Sequence, residues 1–315
     1  MGQVREVAFL FPGQGSQQPG MGLGVRGHPV GVPLLEVANE SGIDLARLVE
    51  TGTADELRPT QIAQPALYYT GVVLAAMAQA AGIDPGLGAG HSLGEYTALA
   101  AAGAIDHVDG MRLVLERGRL MARARQGTMA AVLGLEQDVL SELCEEASRS
   151  GEICVVANDN CPGQLVISGT VEGVEQVGAR AKSAGAKKVV PLSVAGAFHS
   201  PLMKEAAREF GAALEQLEIR DPAYPVASGT TGQLMTTSAQ VRESLSVQLE
   251  SPVLWVGAVR ALLRGGARRF LELGPGTTLA ALVRRIEPGV EVGAAEPASW
   301  TGAEGSHPVS ATSTG

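Results

Sequence analysis

The stretch "GAGHSLGEYTALAAAG", Gly88–Gly103, sets Ser92 between Gly90 and Gly94, just ahead of a run rich in small residues. One reading is an ordinary Gly-rich strand-to-helix connection. The other is a turn too tight for side chains, which pushes Ser92 outward as a nucleophile. Gly86–Gly90 reads as a short strand and Leu93–Ala102 as a helix suited to close packing. Strand before and helix after is the context a nucleophilic G-x-S-x-G turn requires. The start of such a helix also offers N–H groups to a developing oxyanion.

Outward from this turn, strands alternate with helices. Val4–Phe11 reads as a buried strand, followed by the loop "PGQGSQQPGMG". Pro65–Ala81 reads as an apolar helix, and Asp109–Arg125 as a second one capped by Asp109. From about residue 128 to 196 the order is βαββαβ, the split-βαβ pattern of a ferredoxin-like unit. Helices are then expected over Pro201–Leu217, Ser238–Leu249, Val253–Arg264 and Thr277–Ile286, with strands near Pro225–Ser228 and in "RFLEL". Such alternation implies an α/β fold with a mainly parallel sheet. The segment 298–315, rich in Ser, Thr and Gly, is expected to be a disordered tail.

Composition narrows the function. With 315 residues and 45% hydrophobic side chains there is ample material for a core, but aromatics are only 3%, so aliphatic residues and Ala must fill it. A formal charge of −9 argues against general binding to nucleic acid or anionic membrane. Cys144, Cys154 and Cys161 have no CxxC spacing and read as reduced thiols of a cytoplasmic protein. Glu6 interrupts the short apolar run near the start, so no secretory leader is expected. No His/Cys/Asp cluster has metal-ligand spacing, and neither a metal nor a bound cofactor is expected. The GxGxxG letters at Gly22–Gly27 follow no strand and precede His28-Pro29, which rules out a dinucleotide loop.

A serine nucleophile needs a base. His91 is adjacent in sequence and its side chain should point away from that of Ser92. His28, His107 and His307 sit in a loop, just before a helix, and in the tail. His199 follows the strand "KKVVPLSV" and precedes Ser200-Pro201, a helix-opening pair, so it can face the same sheet edge as the turn. By elimination it is the expected base. No Asp clearly completes a triad, which leaves a carbonyl oxygen to orient the ring. Arg117 has Leu113, Val114, Leu120 and Met121 at helical spacing, which puts it on an apolar stripe. It either snorkels or is a buried guanidinium awaiting a substrate carboxylate.

With these residues in hand, the chain resembles the malonyl-CoA:acyl carrier protein transacylases and the related polyketide acyltransferase domains. "FPGQGSQ", "QPAL", "GHSLGEY", "RGRLM", "NDNCPGQLVISG", "GAFHSPLM" and "LELGPG" stand in that family's order over about residues 5 to 297. The resemblance implies an α/β-hydrolase-like catalytic unit over 1–127 and 197–297, with the ferredoxin-like unit inserted at 128–196. It implies Ser92 as the acylated nucleophile and His199 as base, oriented by the carbonyl of Gln248. The N–H groups of Gln14 and Leu93 would form the oxyanion hole and Arg117 would clamp the malonyl carboxylate. Asn160 matches an asparagine near the cleft, and Phe198 a position that walls the acyl pocket. The implied partners are malonyl-CoA and acyl carrier protein, with no nucleic acid and no membrane, and a monomer is expected. An acyl-enzyme hydrolase is the first alternative, but it would have no use for a carboxylate clamp. A non-catalytic docking subunit is the second. Because carrier proteins are acidic, a basic docking patch is expected among Lys187, Lys188, Arg268, Arg269, Arg284 and Arg285.

Overall fold

The structure, a computed structural model, describes residues 6–295. The expected start of the first strand at Val4 and the tail 298–315 lie outside the described residues. The apolar run Val7–Phe11 forms β1, whose last four residues are buried, as suits the middle of a parallel sheet. Helices α1 (Val32–Glu40), α2 (Leu45–Thr51), α3 (Ala54–Leu57) and α4 (Thr60–Ala80) precede β2 (Leu87–Gly90). Next come α5 (Gly94–Ala101), α6 (His107–Arg123), β3 (Thr128–Leu133), α7 (Gln137–Arg149), β4 (Cys154–Cys161), β5 (Gln164–Gly169), α8 (Val171–Ser183) and β6 (Lys188–Pro191). The chain continues through α9 (Lys204–Glu215), β7 (Val226–Ala227), β8 (Leu234–Met235), α10 (Ser238–Val247) and β9 (Val253–Leu254). It ends in α11 (Trp255–Arg264), β10 (Arg269–Glu272), α12 (Thr278–Ile286) and β11 (Glu291–Ala294).

Two sheets form. The first has the order β11-β10-β1-β2-β7-β8, with only the β7–β8 pair antiparallel. In it Phe11 lies opposite Gly90, so the loop carrying Gln14 and the turn carrying Ser92 leave the same edge. That carboxyl edge is where open parallel sheets bind ligands. The second sheet has the order β6-β3-β5-β4-β9. Its period-2 alternation splits two faces: Ala130 and Val132 pack with Leu140, Cys144, Val174 and Val177 of α7 and α8, while Met129 and Val166 join the main core. The order β3-α7-β4-β5-α8-β6 matches the expected βαββαβ sequence of elements. Cys144, Cys154 and Cys161 are free and buried. No helix among the described residues is long and apolar enough to cross a membrane.

Several local expectations change. Helix α4 begins five residues before Pro65, although a proline inside a helix costs about 3 kcal/mol or more. Ala63, Pro65, Ala66 and Leu67 are all buried there, so the proline sits in a packed apolar segment of the helix. Asp106, not Asp109, caps α6, accepting from the N–H groups of Val108 (2.8 Å) and Asp109 (3.3 Å). Val253–Leu254 is not the start of a helix: it is a strand that pairs in parallel with β4 and so ties the C-terminal half to the second sheet. Helices α1–α3 and strands β8 and β11 were not expected from the sequence, although α3 carries a capping box, Thr53 with Glu56.

Candidate active site

The serine turn is built from clearance. A Cβ on Gly90 would run into the backbone of Gly94, and one on Gly94 would run into the carbonyl of Phe11. Both positions therefore need glycine. Ser92 itself sits at φ 52°, in the left-handed region. Such a conformation costs a non-glycine residue about 1–3 kcal/mol and persists only where its surroundings hold it. His199 is the other described non-glycine residue with positive φ, at 57°. The two strained residues meet: Ser92 Oγ lies 2.8 Å from His199 Nε2.

His199 is buried, and its Nδ1–H donates to the carbonyls of Gln248 (3.1 Å) and Ser251 (3.0 Å). Carbonyls only accept, so the proton sits on Nδ1 and Nε2 is left to accept from the serine hydroxyl. The geometry uses a helix end: Gln248 is the C-cap of α10, where backbone carbonyls lack partners within the helix. Burial, then the Arg117 charge, push His199 down to about 3, which keeps its ring neutral. Lowered likewise by burial, His91 makes no bond to Ser92 Oγ, and its Nε2 pairs with Asn160 Oδ1 at 2.8 Å. Its side chain lines the same cavity nonetheless.

Arg117 does not snorkel. It is 1% exposed, beneath Ser92. Its Nη1 donates to Gln64 Oε1 (2.9 Å), and its Nη2 to Ser92 Oγ (3.1 Å) and Gln248 Oε1 (3.1 Å). The guanidinium carbon lies 5.2 Å from the centre of the Tyr96 ring. Its Nε has no hydrogen-bond partner, and none of the ion pairs among the described residues includes it. A buried guanidinium with a spare donor and no carboxylate suits an anionic ligand.

These groups face a cavity of about 190 Å³ between the two sheets. Gln14, Ser92, Arg117, Phe198 and His199 line it from one side, Met129, Asn158, Asn160 and Val166 from the other. Asn158 and Asn160 of β4 both reach the cavity, beside two register shifts, one between Val156 and Asn158 and one between Asp159 and Cys161. Leu93 is buried as the N-cap of α5. The structure thus brings together Gln14, Ser92, Leu93, Arg117, Asn160, Phe198, His199 and Gln248. Gln64, Glu95 and Ser251 also take part, and the sequence reading gave them no role. Glu95 did carry a signal, being the one Asp, Glu, Lys or Arg between Asp84 and Asp106, whereas Gln64, with Thr60 and Gln61 beside it, carried none. A second cavity, of about 270 Å³, shares Gln14 and Val194 with the first.

All four arginines expected to form a docking patch have local partners. Arg269 pairs with Glu291 at 3.0 Å, Arg284 donates to the carbonyl of Val292, and Arg285 to Gln164 and the carbonyl of Pro162. Arg268 donates to the carbonyls of Leu263 and Ala267. Lys187 and Lys188 are exposed.

Comparison with known proteins agrees in extent. The family model described as acyl transferase domain matches residues 8–297. A malonyl CoA-acyl carrier protein transacylase of Bacillus subtilis is 42% identical over 288 residues, covering 90% of this chain and 91% of that one. The crystal structure of a malonyl-CoA:acyl carrier protein transacylase from Xanthomonas oryzae pv. oryzae is 40% identical, with a TM-score of 0.88, covering 95% of this chain and 97% of that one. A malonyl-transacylase solved in complex with a type II polyketide acyl-carrier protein is 38% identical, with a TM-score of 0.88, covering 94% and 98%. A match of this length takes in both sheets and every residue around the cavity, and the chain belongs to the acyl transferase domain family.

Proposed function

We propose that the protein transfers a malonyl group from coenzyme A to the phosphopantetheine thiol of an acyl carrier protein, through a malonyl ester on Ser92, and so supplies fatty acid or polyketide synthesis. The observation that carries this reading is the position of Ser92 Oγ between His199 Nε2 and the Arg117 guanidinium. The first contact suits a nucleophile with its base. The second puts a buried cation one hydrogen bond from the reacting oxygen, where a short acyl group bearing a carboxylate can pair with it. The names of the Bacillus and Xanthomonas relatives support the same substrate.

In this reading Ser92 Oγ attacks the thioester carbonyl as its proton passes to His199 Nε2. The N–H groups of Gln14 and Leu93, which leave the same sheet edge, receive the oxyanion. Collapse breaks the C–S bond, and the leaving thiolate takes the proton from His199. The carrier thiol then gives its proton to His199 and attacks the ester carbonyl; collapse breaks the C–Oγ bond, and His199 returns the proton to Ser92 Oγ. The carbonyls of Gln248 and Ser251 stabilise the transient imidazolium in place of a triad carboxylate. We also read the parallel-sheet part as α/β-hydrolase-like and residues 128–196 as ferredoxin-like, a reading that the strand order β6-β3-β5-β4 supports.

The test is exposure of the wild-type protein to malonyl-, acetyl- and methylmalonyl-CoA in competition, with the adduct on Ser92 identified by mass spectrometry. A dominant malonyl ester that holo carrier protein discharges is expected. Transfer to water alone would replace this reading with a hydrolase. In the same assay Arg117→Ala is expected to lower the malonyl-to-acetyl ratio by at least about tenfold, since loss of one member of a buried charge pair costs about 2–5 kcal/mol. An unchanged ratio would leave Arg117 a structural residue. Phe198 is buried and lines the cavity; in this reading its ring fills the space that an α-methyl group would need. Phe198→Ser is expected to raise methylmalonyl relative to malonyl transfer, by no more than about 10–200-fold for one methyl group. A retained ratio would remove Phe198 as selector.

A further inference from the structure

We infer that Glu95 is a positioning residue for the Ser92 reaction: its buried carboxylate orients the Gln248 side-chain amide, and that amide holds Arg117 against Ser92. The inference rests on the proposed function for its substrate, though not for its geometry. Glu95 lies in the first turn of α5, three residues past the nucleophile, and is 0% exposed. A carboxylate buried in a protein core is costly unless its oxygens are satisfied. Here they are. Oε2 accepts from Gln248 Nε2 (2.7 Å) and the N–H of Gly229 (3.3 Å), and Oε1 accepts from Ser244 Oγ (2.9 Å).

The consequence lies in the amide. Gln248 Nε2 also donates to the carbonyl of Ser92 (3.2 Å), so both its hydrogens are committed to acceptors. Its Oε1 must then face Arg117 Nη2, which donates to it at 3.1 Å and also donates to Ser92 Oγ. With the amide reversed, its NH₂ would meet the guanidinium NH₂ and its oxygen would meet the carboxylate. An acceptor oxygen at residue 95, held toward Gln248 by the N–H of Gly229, forbids that arrangement. The backbone carbonyl of the same Gln248 receives His199 Nδ1–H. One buried side-chain acceptor thus sets the register of nucleophile, cation and base, on three segments far apart in the chain. Burial, the largest cause, leaves the Glu95 carboxyl raised above its ordinary value, while the hydrogen bonds from Gln248, Ser244 and Gly229 and the more distant Arg117 charge act in the opposite direction.

Two variants separate geometry from charge. Glu95→Gln keeps the reach, since its amide oxygen can accept from Gln248 and its NH₂ can donate to Ser244 Oγ, whose hydroxyl takes either role. Glu95→Asp keeps the charge but draws the carboxylate back by one C–C bond. The first readout is the rate at which methanesulfonyl fluoride, a small uncharged reagent, labels Ser92. The second is the malonyl-to-acetyl acylation ratio, with thermal unfolding as the check on folding. E95D is expected to lose about 10- to 100-fold in labelling, the cost of misplacing reacting groups by about 1 Å, and to lose malonyl preference. E95Q is expected to stay within about threefold of wild type on both, a loss of one hydrogen bond's worth at most. If E95D does not fold, Ser244→Ala frees one carboxylate oxygen and should lower labelling about three- to tenfold.

A folded E95D with wild-type labelling and ratio, an E95Q as impaired as E95D, or (where E95D fails to fold) an unaffected S244A would overturn the inference. A wild-type protein that takes the sulfonyl fluoride but not the malonyl group overturns the proposed function instead. The labelling rates then still decide the role of Glu95.

Discussion

Ser92→Ala is expected to abolish malonylation by malonyl-CoA while leaving the fold intact. The alanine loses two hydrogen bonds, to His199 and from Arg117, but Arg117 keeps Gln64 and Gln248 and His199 keeps two carbonyls. No buried charge is stranded, so the stability cost should be about 1 kcal/mol, that of an ordinary hydrogen bond. The strain at φ 52° stays, because alanine adopts that region no more readily than serine. Intact-mass analysis after incubation with malonyl-CoA checks the first half and thermal unfolding the second. A stable malonyl adduct on the alanine variant, at any other residue, would place the nucleophile elsewhere.

His199→Ala carries the second largest effect, a fall in acylation rate of about 10²–10⁴-fold, the usual worth of a positioned base. Pre-steady-state acylation measures it. His91→Ala is the control: it also lines the cavity but is bonded to Asn160, so its loss acts through turn geometry. A fully active His199 variant beside an inactive, folded His91 variant would reverse the assignment. The pH profile gives a further check. A lowered pKa keeps the base unprotonated as the solution becomes acid. With acetyl-CoA, whose acyl group carries no charge, kcat/KM should hold as pH falls through 6.5, the ordinary imidazole value, rather than drop there. A malonyl carboxylate paired with Arg117 would cancel the second cause of the depression, making His199 a stronger base once that substrate is bound.

Much of this was legible in the chain because it is local. Gly90, Ser92 and Gly94 specify their turn through contacts within a few residues and the adjoining strand, so the pattern alone points to it. Arg117 stood out because a helix of known period puts it among Leu113, Val114, Leu120 and Met121. The order of elements from Thr128 to Pro191 followed from alternating and helical periodicity in the same way. Composition, too, needs no fold to exclude a net basic chain.

Other features depend on distance in sequence rather than pattern. Gln248 meets Glu95 across 153 residues and Arg117 across 131, and nothing periodic links such partners. The strand at Val253–Leu254 carries too few residues to show alternation and exists because β4 offers it an open edge. Resemblance pointed to Gln248, but not to the amide orientation that Glu95 imposes. The sequence by itself determined most of the longer elements and which side chains could react, since both follow from local stereochemistry and the burial of apolar faces. Only the tertiary structure decided the hydrogen-bond partners of the buried polar groups. A buried donor or acceptor must be satisfied wherever a partner is close in space, and that closeness arises from sheet register and helix packing, not from neighbours along the chain.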